Sequence, residues 1–207
     1  MKKIMFNDAF SLTQAVIDGQ KTMTRRIEPG IFVSEGVERE WINEMMQIHH
    51  SIQAAKSEIS LDRKKYFSIH TKYALGEVVA VAQKYADVIA RISPISNPHA
   101  YDWMRKEVGW NNKMFVKADL LPTRIKIKKI KLERLQDITE EDCIKEGLEW
   151  DGKANKFYSG YNKNTGEKNW LENGYKESFA TLINKIVGKE TWNNNPWTVV
   201  YEFELQK

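Results

Sequence analysis

Two stretches alternate apolar and polar side chains with a period of two, and this alternation constrains the fold more than any other feature of the chain. From Arg124 to Leu135 the apolar positions are Ile125 and Ile127, then Ile130 and Leu132; near the end they are Trp197, Val199, Tyr201, Phe203 and Leu205. Successive residues of a strand point to opposite faces, so both stretches read as strands with one face covered. The parity slips between Ile127 and Ile130, which predicts a β-bulge there. Lys126, Lys128, Lys129 and Lys131 mostly take the opposite face. They read first as a solvated sheet face, with phosphate contact as the lesser alternative.

Other segments fill in an α+β domain. Gly76-Glu77 turns the chain into Val78-Val79-Ala80-Val81-Ala82, a continuous apolar run typical of a strand buried on both faces. Ser11-Leu12-Thr13-Gln14 reads as a capping box opening a two-turn helix that Gly19 ends in the left-handed region. Trp41, Met45, Ile48, Ile52, Ala55 and Ile59 share one helical face, predicting an inserted amphipathic helix over residues 37 to 59. Ser93 to His99, with two prolines, reads as loop. Thr139-Glu140-Glu141-Asp142 starts a helix that ends at Gly147, with its acidic residues where the helix dipole favours them. Residues 150 to 169, rich in Gly, Asn and Lys, read as a mobile loop. Tyr175, Phe179, Leu182, Ile183 and Ile186 mark a last helix, closed by Gly188. Short strands with helices at their margins argue for one domain over residues 1–207 with a small barrel-like sheet.

Bulk properties narrow the classes of function. At 207 residues the chain has the length of a single domain and can bury a real core. Its 32 basic and 28 acidic residues leave a charge of +4, compatible with phosphate-bearing partners but far from a nucleic-acid coat protein. Cys143 is the only cysteine, which excludes an internal disulfide and a multi-thiolate zinc site and suits a reducing cytoplasm. No apolar run approaches the roughly 20 residues that span a bilayer. The opening Met1-Lys2-Lys3-Ile4-Met5-Phe6 is cut off by Asn7-Asp8 before a signal core could form. His49, His50, His70 and His99 show no metal-ligand spacing with carboxylates. A soluble, cytoplasmic protein without metal or cofactor is therefore expected.

The densest polar cluster is Gly19-Gln20-Lys21-Thr22-Met23-Thr24-Arg25-Arg26, three cations and two hydroxyls directly after a helix-ending glycine. In a strand, Thr22, Thr24 and Arg26 would share one face while Lys21, Met23 and Arg25 took the other. Composition alone favours a bland reading, a basic strand edge that blunts aggregation. Glu146 sits in the last turn of a short helix, where the dipole disfavours negative charge. Either a paired cation resolves that penalty or the helix end is frayed and exposed. Trp110, in Gly109-Trp110-Asn111-Asn112, is a candidate cleft wall; Trp197 is assigned to core and Cys143 to buried filler.

The same cluster resembles the G-x-K-T-x-T-x-R signature of the ASCH family, relatives of PUA domains. Gly76 to Val81 is similar to that family's second strand entry. Arg124-Ile125 through Glu133-Arg134-Leu135-Gln136-Asp137-Ile138-Thr139 to Glu146-Gly147 resembles the strand–helix unit of a branch common in bacteriophages and prophages. Asn195-Pro196-Trp197 with Tyr201-Glu202-Phe203 resembles that branch's end.

The resemblance implies a PUA-like β-barrel with a cleft for a nucleoside, nucleotide or RNA segment. Small bacterial members hydrolyse the acetyl amide of N4-acetylcytidine with a lysine, a threonine and a glutamate. Lys21, Thr24 and Glu146 match these, and Arg26 matches the motif's arginine. A threonine hydroxyl needs a neighbouring base to take its proton, and a lysine can serve if burial or nearby cations lower its pKa. Arg25 and Arg26 would supply such cations or bind phosphate; Thr22 joins them as a ligand contact. This chain departs from the small hydrolases in its length and in carrying Arg25 where they have a neutral residue. Strict strand geometry also puts Lys21 and Thr24 on opposite faces, so catalysis requires a bend or bulge. Two further readings stand beside the hydrolase: a non-catalytic reader of RNA or modified bases, and a phage accessory protein binding a small nucleotide signal.

Overall fold

The structure, a computed structural model, describes residues 1–50, 57–62, 65–69, 71–92, 101–162 and 165–206. In chain order the elements are β1 (Lys3–Ile4), α1 (Leu12–Ile17), β2 (Met23–Arg26), β3 (Phe32–Val33), α2 (Arg39–His50), β4 (Ser57–Asp62) and β5 (Lys65–Ile69). Then come β6 (Val78–Val81), α3 (Tyr85–Ile92), α4 (Asp102–Arg105), β7 (Arg124–Arg134), α5 (Glu140–Lys145), β8 (Glu149–Asp151), β9 (Lys156–Tyr161) and β10 (Lys168–Trp170). The chain closes with α6 (Tyr175–Ile186), α7 (Thr191–Asn194) and β11 (Trp197–Gln206). Helix and strand are mixed, as expected of an α+β chain.

The central sheet has the order β1-β6-β7-β11-β2. It unites the two alternating stretches, β7 and β11, and the apolar run, β6, with the basic segment that forms β2. No closed barrel forms among the described residues: the remaining strands make two separate three-stranded sheets, β10-β9-β8 and β3-β5-β4. The long β7–β11 ladder carries the predicted bulge, since Glu202 opposes Lys129 and Phe203 opposes Ile127, leaving Lys128 extra. That extra residue restores the apolar phase, so Ile125, Ile127, Ile130 and Leu132 are all buried.

The strand β6 is covered on both sides, as its composition requires. Val79 and Val81 join the main core with Ile4, Ile125, Leu132 and Tyr201. Ala80 and Ala82 join a second cluster with Tyr85, Val88, Met104 and Leu121. The lysine face of β7 is neutralised by its neighbour: Lys126 opposes Glu204, Lys129 opposes Glu202, and Lys128 Nζ lies 3.3 Å from Glu204 Oε1. This is the pattern of a solvated, cross-strand-paired surface.

Three local expectations change. The helix foreseen over residues 37 to 59 is α2, ending at His50, and Ile59 lies in the strand β4. Ile52 and Ala55, like the loop foreseen at Ser93 to His99, fall outside the described residues. Among the described side chains of α2, Ile42 and Met46 are fully buried in the core, one position round from Trp41 and Met45, which are partly buried against it. The stretch from 150 to 169 holds β9 and most of β8 and β10, because Trp150, Phe157 and Tyr175 pack in sequence with tilted rings, centroids 4.8 and 4.6 Å apart. That aromatic contact ties the short strands down despite their Gly and Asn content. Finally, Ser11 does not cap α1. It has φ 55, and its hydroxyl donates to the Tyr161 carbonyl instead, while the Gln14 amide turns to Asp18.

Candidate functional site

The basic motif is brought into place by the end of α1. Gly19 has φ 77, the left-handed turn expected of it, and the Gln20 and Lys21 N–H groups both donate to Ala15 O at 2.9 Å. Thr22 N–H donates to Lys145 O at 2.9 Å, and Thr22 O accepts from Phe203 N–H at 2.9 Å. Lys21 therefore precedes β2, and strand alternation does not separate it from Thr24. Within β2, Thr24 and Arg26 oppose Tyr201 and Val199, whereas Met23 and Arg25 oppose Glu202 and Val200. Because β2 is the outermost strand of its sheet, residues from both of its faces border one cavity.

The glutamate arrives from a separately built helix. Thr139 caps α5 by accepting from Asp142 N–H at 3.1 Å, and three carboxylates fill the first turn. Glu146 is the C-cap, and Gly147 at φ 98 turns the chain away. A Cβ on Gly147 would make only ordinary contact with the Lys21 stem, at 3.4 Å from its Cβ, so it is the φ of 98 that calls for glycine here.

The cavity measures about 260 Å³ and is bordered by Lys21, Thr24, Arg25, Arg26 and Glu146 on one side. Phe179, Leu182, Ile183 and Ile186 of α6 make an apolar wall, with Phe6 also lining the space. Lys21 Nζ donates to Glu146 Oε2 and to Glu146 O, both at 2.6 Å, although 125 residues separate the two. Lys21 is 2% exposed and Glu146 5%, so neither charge is solvated by water. Behind them Arg25 donates to Glu146 Oε1 at 3.2 Å, to Asp142 Oδ2 at 2.6 Å and to Glu133 Oε1. Lys131 Nζ closes the cluster, 3.0 Å from both Glu133 Oε2 and Asp142 Oδ2. Three cations thus face three carboxylates, which is the condition under which buried charge is tolerable.

Burial drives the Lys21 ammonium below the usual lysine range; the Glu146 carboxylate opposes this, and Arg26 and Arg25 push it further down. For Asp142, burial alone would raise the carboxyl, but hydrogen bonds and charge from Arg25 and Lys131 hold it below its ordinary value. The Arg25 guanidinium is pulled down by burial, yet Glu146, Glu133 and Asp142 together leave it raised. Burial also pushes the Cys143 thiol up to about 12, so Cys143 is inert filler inside α5.

The residues singled out from sequence separate into two groups. Lys21, Thr24, Arg25, Arg26 and Glu146 meet at one cavity, and the strained position of Glu146 is resolved by two cations rather than by fraying. Arg26 is the more accessible arginine, donating to Met5 O at 2.6 Å with its guanidinium 5.7 Å from the Phe6 ring centre. Arg25 has no free hand for phosphate, because its side chain is 1% exposed and both terminal nitrogens are taken by carboxylates. Thr22 and Trp110 do not line the cavity. Trp110 packs on the Ala80–Tyr85 cluster with Arg105 over its ring at 5.8 Å. Trp197 is partly buried against the main core under Arg134, 4.5 Å from its ring centre.

Sequence reasoning missed Glu133, Asp142 and the α6 wall, and it placed Lys131 on a solvated sheet face although its ammonium turns to Glu133 and Asp142. Glu133 carried a signal: it is the one carboxylate inside the β7 alternation. Among the described residues no group of three His, Cys, Asp or Glu side chains is placed to hold a metal, and no helix is long and apolar enough to cross a membrane. No family model, no curated protein and no solved structure matches the chain.

Proposed function

We propose that this cavity is the active site of an amidohydrolase acting on an acylated cytidine of the N4-acetylcytidine type, carried on an ASCH-like, PUA-related sheet. The observation that carries the reading is the buried Lys21–Glu146 pair at 2.6 Å, bordering the same cavity as Thr24. An uncharged lysine amine has two hydrogens and one lone pair. Both hydrogens are occupied by the two Glu146 oxygens, which leaves the lone pair to accept the Thr24 hydroxyl proton. The threonine oxygen then adds to the acyl carbon, the C–N4 bond breaks, and the proton on Lys21 passes to the departing amine. Water hydrolyses the threonyl ester, and Thr24 regains its proton. Arg26 on the cavity wall is the donor best placed for the acyl oxygen, and the α6 wall keeps bulk water away.

A second reading has its own observation. The ionic cluster is balanced, three cations against three carboxylates, which suits a structural lock beneath a pocket that only binds a base or an RNA segment. Incubation with N4-acetylcytidine separates the two. The hydrolase reading expects cytidine and acetate from the wild-type protein and none from Thr24→Ala with ligand binding retained. Binding without turnover in the wild-type protein establishes the reader instead.

A further inference from the structure

The Arg25 side chain is spent entirely inside the protein. One terminal nitrogen meets Glu146 Oε1 at 3.2 Å, and the other meets Asp142 Oδ2 at 2.6 Å and Glu133. Glu146 is thereby divided: its Oε1 belongs to Arg25 and its Oε2 to Lys21. We infer that Arg25 is a positioning residue acting through Glu146: by claiming half of that carboxylate, and being itself neutralised by Glu133 and Asp142, it decides how firmly Lys21 holds a proton. The catalytic consequence rests on the hydrolase reading; the geometry and the titration do not.

The surroundings of Lys21 make the direction definite. From β2 it faces Arg25 and Arg26, from α5 Glu146 and Asp142, and from β7 Glu133 and Lys131 reach it through Arg25. Cys143 of α5 is uncharged, and Lys176 of α6 acts on that thiol at longer range. The Phe6 ring centre lies 5.9 Å from Lys21 Nζ and brings no titrating group. A lone Lys21–Glu146 pair would favour the charged ammonium, and such a lysine is a poor base at neutral pH. Sharing Glu146 with a second, permanently charged cation weakens that preference. A lysine at position 25 would keep the charge without the fork that spans three carboxylates.

The test follows the Lys21 side chain by ¹³Cε NMR across pH, with the signal assigned by its loss in Lys21→Met. Arg25→Met removes one cation and leaves the cluster net negative, so the Lys21 midpoint should rise by about one to three units, the range a close opposite charge commands. Asp142→Asn keeps Arg25 and leaves the cluster net positive, so the midpoint should fall. Arg25→Lys should lie between wild type and Arg25→Met. If wild-type protein turns over acylated cytidine, the alkaline plateau of its kcat–pH profile should move with the same sign while KM changes less. Opposite shifts in the two variants support the inference. An unchanged midpoint, or shifts of the same sign, overturns it. Should Arg25→Met fail to fold, Asp142→Asn and Arg25→Lys decide the matter alone. Absence of turnover in every protein, with the midpoints moving as stated, would reject the hydrolase reading and leave the positioning role standing.

Discussion

Replacing Glu146 with glutamine keeps the shape of the side chain and removes its charge, turning a balanced cluster of three cations and three carboxylates into one with an excess cation. Two partners are affected at once, Lys21 at 2.6 Å and Arg25 at 3.2 Å, and both are almost wholly shielded from water. Leaving a buried charge uncompensated in this way costs about 3–5 kcal/mol. A domain of this size has only about 5–15 kcal/mol to lose. At roughly 2–4 °C per kcal/mol, the melting temperature should drop by about 6–20 °C. Lys21→Met alone leaves the opposite imbalance, with Glu146 still held by Arg25, and should cost less than Glu146→Gln. The double variant restores balance, because Arg25 and Lys131 then face Glu133 and Asp142 only. Urea unfolding of the four proteins should therefore give a coupling energy of up to about 3 kcal/mol, with the double variant more stable than Glu146→Gln. A Glu146→Gln protein within about 0.5 kcal/mol of wild type, the range of an ordinary surface change, would refute the reasoning.

Three further outcomes follow from the same geometry. On the RNA-binding reading, Arg26→Ala should weaken RNA binding and flatten its dependence on salt, whereas Arg25→Ala should act mainly on stability; salt titrations paired with melting curves distinguish them. The carboxyl of Asp142 is held below its ordinary value of 3.8, so its contribution is fully present above that pH and is lost as pH falls from there through the lower value it has in the folded protein. Stability measured from about pH 5 down to pH 3 should fall steeply in wild type and less steeply in Asp142→Asn. Gly147→Ala forces a side chain into the left-handed region at φ 98 but meets the Lys21 stem only at ordinary contact distance, so it should cost about 1–3 kcal/mol by denaturant titration and leave the Lys21 NMR signal in place.

What was legible in the sequence was what period and turn chemistry encode locally. The slip between Ile127 and Ile130 located the bulge at Lys128, because only one extra residue returns the apolar phase to the core side. Thr139 as a cap, Gly19 as a left-handed turn and Gly147 as a helix end were equally local. The misreadings arose where a neighbour distant in sequence decided the outcome. Ser11 had the pattern of a cap, but the Tyr161 carbonyl took its hydroxyl. Ile59 continued a helical spacing by coincidence and belongs to a strand paired with β5. The strands between 149 and 170 were hidden by Gly and Asn, although Trp150, Phe157 and Tyr158 stood among them. At the site, the motif resemblance pointed to Lys21, Thr24 and Glu146. Nothing within a few residues of Arg25 could announce that its partners lie 108, 117 and 121 positions away. A charge beside a motif was therefore assigned to ligand when it is spent on the protein's own carboxylates.

The most direct test of the central claim is a crystal structure of the Thr24→Ala protein soaked with N4-acetylcytidine. The account predicts the acetyl amide inside the cavity between Lys21 and the α6 wall of Phe179, Leu182 and Ile183, its carbonyl carbon facing position 24 and its oxygen towards Arg26. A ligand bound elsewhere on the protein, or one seated in the cavity with the acyl group pointing away from Lys21 and position 24, would contradict it.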